Sequence, residues 1–229
     1  MVRLDGLCRV RVLPCWILIR EDAILNTAIN TRILPLFPLQ TVIFPQGLLP
    51  LRIFEARYLD MVKDCYRNNS EFGVVAAIEG ASRHFPFCEV GTAVRIVDFE
   101  VPEIGLINIR CLAAQRFRVH AATQQADGLW LGEVTAIEDD VAISLPDDLV
   151  RTADSLRHVI NALLKQGFDE DTLPIAKPYQ FDDCAWVANR WIELLNLPLE
   201  QKQRFLELDS PLVRLELVQD MFIENERRD

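Results

Sequence analysis

Four prolines divide the first long apolar stretch of the chain into short pieces. Pro35, Pro38, Pro45 and Pro50 interrupt residues 33–53, which read ILPLFPLQTVIFPQGLLPLRI. Proline removes a backbone donor and fixes φ, so it excludes a continuous helix and restricts strands to edges and bulges. The stretch is therefore predicted to form short strands and extended pieces, with a turn that starts at Pro45.

The following segments switch between helical and strand periodicity. Residues 54–67 place apolar side chains at helical spacing, with charged side chains on the other face, which predicts a helix. The apolar face of this helix is predicted to contain Phe54, Tyr58, Met61, Val62 and Cys65. The predicted strands are residues 72–78, 91–100, 106–112, 117–119 and 130–137. Short strands at this spacing indicate a closed or nearly closed barrel and not a parallel sheet.

After residue 139 the chain becomes helical and acidic. Fourteen basic and fifteen acidic residues come before this point, and ten basic and nineteen acidic residues follow. Helices are predicted at residues 147–166, from the Asp182-Asp183 cap to Pro198, at 200–208, and from the Ser210-Pro211 start onward. The expected fold class is α+β, with a β-rich domain at 33–140 and a helical bundle at 141–229.

Residues 1–32 are expected to be an extension of this fold. An apolar run at residues 13–19 follows three arginines, as in a signal peptide, but it contains Pro14 and has no small-residue cleavage site. It is also too short to span a bilayer. The extension is interpreted as a poorly ordered segment or as a start codon assigned too early, and an additional edge strand is the alternative.

The overall charge limits the function classes. The net charge is −10 and the isoelectric point is about 4.9, which disfavours general nucleic-acid binding and attachment to anionic membranes. None of the six cysteines forms a C-x-x-C pair, so we expect reduced, structural thiols and a cytoplasmic location. A basic face could still be assembled in three dimensions from Arg52, Arg57, Arg95, Arg110, Arg116 and Arg118.

Motifs that would indicate catalysis are missing from the sequence. There is no phosphate-binding loop, no dinucleotide fingerprint, no H-E-x-x-H and no G-x-S-x-G. His84 and Cys88 could be a base and a thiol, but a loop histidine beside a buried cysteine explains them as well. The acidic run at residues 169–171 lacks calcium-loop spacing and is interpreted as a solvated loop. No catalytic residue, metal ligand or cofactor is therefore expected.

The proline-punctuated run resembles the opening of the Lon N-terminal domain family, which reads P-L-F-P-x-x-x-V-x-F-P-x-x-x-x-P-L-x-I-F-E-x-R-Y. The chain matches this pattern at Leu36, Phe37, Pro38, Val42, Phe44, Pro45, Pro50, Leu51, Ile53, Phe54, Glu55, Arg57 and Tyr58. Later pieces also fit, although Ala113-Ala114 replaces a glycine that the family usually has before Arg116-Phe117. The resemblance covers about residues 33–224.

This resemblance implies a PUA-like pseudo-barrel of short antiparallel strands with one or two helices, followed by a helical bundle. It also implies a stand-alone member, because neither an ATPase nor a Ser–Lys protease domain can fit in this length of chain. The implied role is recognition of unfolded or specific protein segments, as an adaptor in a protease or chaperone system. A nucleic-acid-binding module and an uncharacterised enzyme are the alternatives.

Binding a polypeptide requires an apolar groove and exposed strand edges. The residues predicted to form such a groove are Phe44, Pro45, Leu48, Leu49, Arg52, Glu55, Arg57 and Tyr58. The alternative interpretation is that most of them determine the fold, because a motif that defines a family usually does so.

Overall fold

The structure, a computed structural model, describes residues 31–80, 82–167, 173 and 175–226. Its strands are β1 (Thr31–Leu39), β2 (Leu48–Ile53), β3 (Phe72–Ala76), β4 (Val90–Glu103), β5 (Leu106–Gln124) and β6 (Trp130–Ala136). Its helices are α1 (Ala56–Asn68), α2 (Val150–Lys165), α3 (Cys184–Leu194), α4 (Leu199–Glu207) and α5 (Pro211–Glu226). The predictions for residues 1–30 and for the acidic loop 169–171 lie outside the described residues.

The strands form a mixed sheet that bends into an uneven pseudo-barrel. Their order is β2-β5-β4-β3-β1-β6, and β5 also pairs with β6. The first half of β5 pairs with β2 and its second half with β6. The pairing of β5 with β6 thus joins the two ends of the five-strand run β5-β4-β3-β1-β6 around the core. Strand β2 lies outside this ring and, in the described part of the chain, pairs only with β5. The predicted α+β fold with a pseudo-barrel and a helical bundle is confirmed.

Two predictions about the strands are wrong. The pairing is not antiparallel throughout, because β1 and β3 run parallel, with Leu36 opposite Gly73. The β2–α1 segment between them supplies the long connection that a parallel pair needs. The strands are also not all short: the pieces predicted at 106–112 and 117–119 are one strand of 19 residues. The strand continues through Ala113-Ala114 with a register shift, because Ala113 pairs with Val94 of β4 and Arg116 pairs with Thr92.

Helix α1 packs its predicted apolar face onto the sheet. Tyr58, Met61, Val62 and Cys65 are buried, and Asn69 ends the helix in a left-handed conformation with φ of 48°. Phe54 was predicted to belong to the same face, but the helix begins only at Ala56. Phe54 therefore precedes the helix, and its side chain is 71% exposed.

Helices α3, α4 and α5 begin within one or two residues of the predicted positions, whereas the helix predicted from residue 147 starts with a 3-10 turn, Asp147–Leu149, before α2. The Asp183 carboxylate accepts the backbone N–H of Trp186 at 2.7 Å and caps α3. The Ser210 hydroxyl accepts the N–H of Val213 at 3.4 Å at the start of α5. Helices α3 and α5 then pack against each other, with the rings of Trp191 and Phe222 4.8 Å apart. Among the described residues, no helix is long and apolar enough to cross a membrane.

The apolar core continues across the predicted boundary at residue 140. Phe44 and Val90 of the β-rich half lie in the same buried cluster as Trp186 and Leu206 of the helices. Burial of this shared surface stabilises both halves together, so the bundle and the pseudo-barrel are one packed unit.

A buried ionic network joins the two halves next to this core. Arg116 of β5 donates to the Asp140 carboxylate at 3.0 Å and to the carbonyl oxygen of Leu206 at 2.8 Å. Asp140 also accepts from Arg214 of α5 at 2.7 Å. Because both guanidinium groups are buried, the carboxylate between them supplies the charge that their burial requires.

Candidate functional site

The residues predicted to form a groove do not share one surface. Phe44 is completely buried, and Leu49 and Tyr58 are 9% and 5% exposed. Pro45, Leu48 and Arg57 are half-buried, and only Arg52 and Glu55 are exposed. The eight residues therefore lie in different places: in the core, at the contact with the helical bundle, and around the start of α1.

The turn after Phe44 is held by α3. The Glu193 carboxylate accepts the N–H of Phe44 at 3.0 Å, and Arg190 donates to the carbonyl oxygen of Pro45 at 2.9 Å. A Cβ atom on Gly47 would lie 2.3 Å from the Glu193 carboxylate, so only glycine fits here without displacing a neighbour. Burial raises the pKa of Glu193 to about 7, against the lowering effect of Arg190.

An apolar depression lies between α1 and the tip of the β4–β5 hairpin. It is a cavity of about 450 Å³. We call its apolar lining the hairpin surface, and it consists of Leu59, Tyr66, Phe99, Val101, Ile104, Leu106 and Ile107. Tyr66 of α1 stacks on Phe99 of β4 with ring centroids 4.5 Å apart.

Several large apolar side chains of the hairpin surface are exposed to solvent. Ile104 at the hairpin turn is fully exposed, and Val101 and Tyr66 are 61% and 53% exposed. Gly105, with φ of 83°, makes the tight turn that projects Ile104 outward. A cluster of large exposed apolar side chains next to a depression is typical of a binding surface.

Phe54 is a further large, exposed apolar side chain at the end of β2. Its neighbour Ile53 pairs with Ile107, which lines the hairpin surface. The sequence pattern places Phe54 on the apolar face of the predicted helix, and the predicted groove does not include the hairpin tip. The signal that could have found the tip is the short connection VPEIG at residues 101–105, between two predicted strands, where Val101 and Ile104 are apolar at a position that turns usually leave to polar residues.

The opposite face of the same hairpin is polar. A shallow cavity of about 290 Å³ there is lined by Pro50, Leu51, Arg52, Asp98, Glu100, Asn108, Ile109 and Arg110. Arg110 of β5 lies opposite both Asp98 of β4 and Pro50 of β2. The hairpin therefore separates an apolar face, covered partly by α1, from a face on which both charge signs occur.

The third recess lies between the β3–β4 loop and α4, and it contains His84 and Cys88. It measures about 640 Å³. Burial and nearby carboxylates raise the pKa of Cys88 to about 11, so the thiol is protonated at neutral pH and is a poor nucleophile. Cys65, Cys111 and Cys184 are also free and buried. Among the described residues, no group of His, Cys, Asp and Glu could hold a metal ion.

The arginines that could have formed a basic face are dispersed. Arg116 is buried in the ionic network, and Arg57 pairs with Glu55. Arg52 and Arg110 share their face with Asp98 and Glu100. Arg118 lines the separate recess that contains Cys88, and Arg95 lies on β4 in the same strand as Asp98 and Glu100. These positions do not produce the continuous positive surface that phosphate backbones require.

Comparison with known proteins agrees with this architecture. The family described as "ATP-dependent protease La (LON) substrate-binding domain" matches residues 33–223. The crystal structure of a Lon N-terminal domain protein from Xanthomonas campestris is 34% identical, with a TM-score of 0.66 over 82% of this chain and 98% of that chain. The N-terminal domain of a Mycobacterium avium complex Lon protease has the same fold at 15% identity, with a TM-score of 0.55 over 82% of this chain and 97% of that one.

The curated relatives are much longer than this chain. Lon protease 2 of Myxococcus xanthus is 29% identical over 204 residues, which are 83% of this chain and 23% of that protein. Protein cereblon of Danio rerio is 30% identical over 133 residues, which are 56% of this chain and 28% of that protein. The chain thus spans about a quarter of the length of these relatives. By the family match over residues 33–223, the chain belongs to the LON substrate-binding domain family.

Proposed function

We propose that this protein is a non-catalytic module that recognises apolar segments of other proteins, and that the hairpin surface is where they bind. The observation that carries the proposal is the exposure of Tyr66, Val101 and Ile104 around a depression of about 450 Å³. A buried aromatic or aliphatic client side chain would gain roughly 1.5–3 kcal/mol from leaving water. Several such contacts give the weak, reversible binding that suits segment recognition.

The family description supports this assignment, because it names substrate binding as the role of the matched region. The known relatives include Lon proteases, so an adaptor that presents clients to a proteolytic or chaperone system is the finer role that we propose. The raised pKa of Cys88 and the dispersed arginines favour this role over an enzyme or a nucleic-acid-binding module.

The test is binding of a labelled unfolded protein, reduced and carboxymethylated lysozyme, measured by fluorescence anisotropy. The variants Ile104→Asp and Val101→Asp place a charge in the depression and should weaken binding by at least about tenfold, or 1.4 kcal/mol. The matched control is Val141→Asp, because Val141 is 74% exposed and does not line the depression. If Ile104→Asp and Val141→Asp bind the client equally well, the hairpin surface is not the binding site.

A further inference from the structure

The outer half of β4 has a free backbone edge. Strand β3 pairs with β4 only as far as Val94, whereas β5 accompanies β4 as far as Glu103. Within the ranges that the structure describes, no strand pairs with the other side of residues 95–103. Seven of these nine residues are exposed. Register shifts against β5 interrupt this edge between Ile96 and Asp98 and between Glu100 and Glu103, and Pro102 has no N–H, so residues 98–101 are its regular part. This part presents N–H and C=O groups to which another strand can bind.

The two faces of the hairpin meet along this edge. Phe99 and Val101 belong to the apolar hairpin surface, while Asp98 and Glu100 line the polar face. Side chains of a strand point alternately to opposite faces of the sheet. A strand added here would therefore place every second side chain over the hairpin surface and the remaining side chains beside Asp98 and Glu100.

The charge of the edge restricts the sequence of such a strand. Asp98, Glu100 and Glu103 outnumber Arg95 on residues 95–103. Arg52 and Arg110 share the polar face with Asp98 and Glu100, but they belong to β2 and β5, on the far side of β4 from an added strand. Lysine or arginine at the polar positions of the added strand would therefore lie nearest to the carboxylates of β4. A second copy of this protein is a poor partner. Antiparallel pairing of two copies about Phe99 would place Asp98 of each opposite Glu100 of the other, and like charges directly opposite destabilise a strand pair.

We propose that the protein binds its client as an extended strand on the free edge of β4, centred on residues 98–101, and that the client alternates apolar and basic residues. This inference rests on the proposed function and specifies how the client binds there. Main-chain hydrogen bonds would supply affinity, and the two faces would select the alternating pattern.

The first test uses the seven-residue peptide VKVKVKV and two N-methylated versions of it. One version carries methyl groups on the amides of the valines, and the other on those of the lysines. Only one set of amides can face β4, because successive amides of a strand point to opposite edges. We expect one methylated peptide to bind at least about tenfold more weakly than the parent and the other to bind much as the parent does. Equal affinity of all three peptides would overturn strand addition.

The second test changes the protein. Asp98→Lys should weaken binding of VKVKVKV several-fold, and Glu133→Lys is the matched control, because Glu133 is exposed on β6, which is paired on both sides. Hydrogen–deuterium exchange should show slower exchange in residues 98–101 when the parent peptide is bound. Unchanged exchange there, with the peptide bound, would contradict the inference.

These outcomes separate the inference from the proposed function. In one outcome, Ile104→Asp abolishes binding of unfolded lysozyme, but N-methylation does not change the affinity of the peptide. The binding site is then correct and strand addition is wrong. If neither lysozyme nor the peptide binds, the proposed function itself is wrong.

Discussion

Arg57 fixes the start of α1 to the β5–β6 loop, because its guanidinium donates to the carbonyl oxygen of Gly128 at 2.9 Å. The same group binds the Glu55 carboxylate through two nitrogen atoms, at 3.1 and 2.8 Å. It also lies 4.6 Å from the centre of the Tyr58 ring, within the range of a cation–π contact. These contacts give Arg57 a structural role in the I-F-E-x-R-Y motif.

Replacing Arg57 with alanine should therefore destabilise the fold. Arg57→Ala leaves the Gly128 carbonyl with only the longer bond from the Gln124 amide, at 3.2 Å, and frees the start of α1. We expect a loss of about 1–3 kcal/mol in the free energy of unfolding. Urea denaturation measures this loss. The control is Arg67→Ala, because the pair between Arg67 and Asp64 is exposed and should contribute less than about 1 kcal/mol. Equal effects of the two substitutions would contradict the structural role.

Asp140 should contribute more to stability than any exposed carboxylate. Asp140→Asn removes the charge between the buried guanidinium groups of Arg116 and Arg214, and an uncompensated buried charge costs about 3–5 kcal/mol. Asp154→Asn is the control, because Asp154 pairs with Arg157 at the surface. We expect urea or thermal unfolding to show a large loss in the free energy of unfolding for Asp140→Asn and not for Asp154→Asn. A loss below about 1 kcal/mol for Asp140→Asn would show that the network does not hold the two halves together.

Glu193 should make stability depend on pH near neutrality. Its pKa in the folded protein is about 7, above its usual value of 4.5, because burial disfavours the charged carboxylate. The folded state therefore retains a proton that the unfolded state has lost. The contribution of this group to stability is complete below pH 4.5 and is lost as the pH rises through 7. The free energy of unfolding, measured from pH 4.5 to 8, should fall with pH in the wild type.

The variant Glu193→Gln separates this effect from the other titrating groups. Glutamine keeps an oxygen acceptor for the N–H of Phe44 but does not titrate. The fall in stability between pH 4.5 and 8 should be smaller in this variant than in the wild type. A variant that follows the wild-type pH profile would rule out Glu193 as its source.

Phe54 should affect binding and not stability. Its side chain is 71% exposed, one residue beyond Ile53, whose partner Ile107 lines the hairpin surface. If clients reach Phe54 from that surface, Phe54→Ser removes a contact for them and leaves the core intact. We expect binding of unfolded lysozyme to weaken several-fold while the midpoint of thermal unfolding stays within about 2 °C of the wild type. A lower midpoint with unchanged affinity would instead assign Phe54 a role in the fold.

The sequence alone determined most of the local structure. Proline spacing excluded a helix before residue 54, and helical periodicity identified the buried face of α1 at Tyr58, Val62 and Cys65. Capping chemistry located the starts of α3 and α5 at Asp183 and Ser210. These features are readable because they depend on residues within a few positions of one another.

Only the tertiary structure decided how distant segments meet. The parallel pairing of β1 with β3, the shared core around Phe44 and the Arg116–Asp140–Arg214 network all join residues far apart in the chain. Whether an apolar residue is buried also depends on such contacts: Phe44 is enclosed by α3, whereas Phe54 and Ile104 remain exposed. Composition and periodicity give no information about which partner covers a side chain, and for this reason the candidate binding surface had to be found in three dimensions.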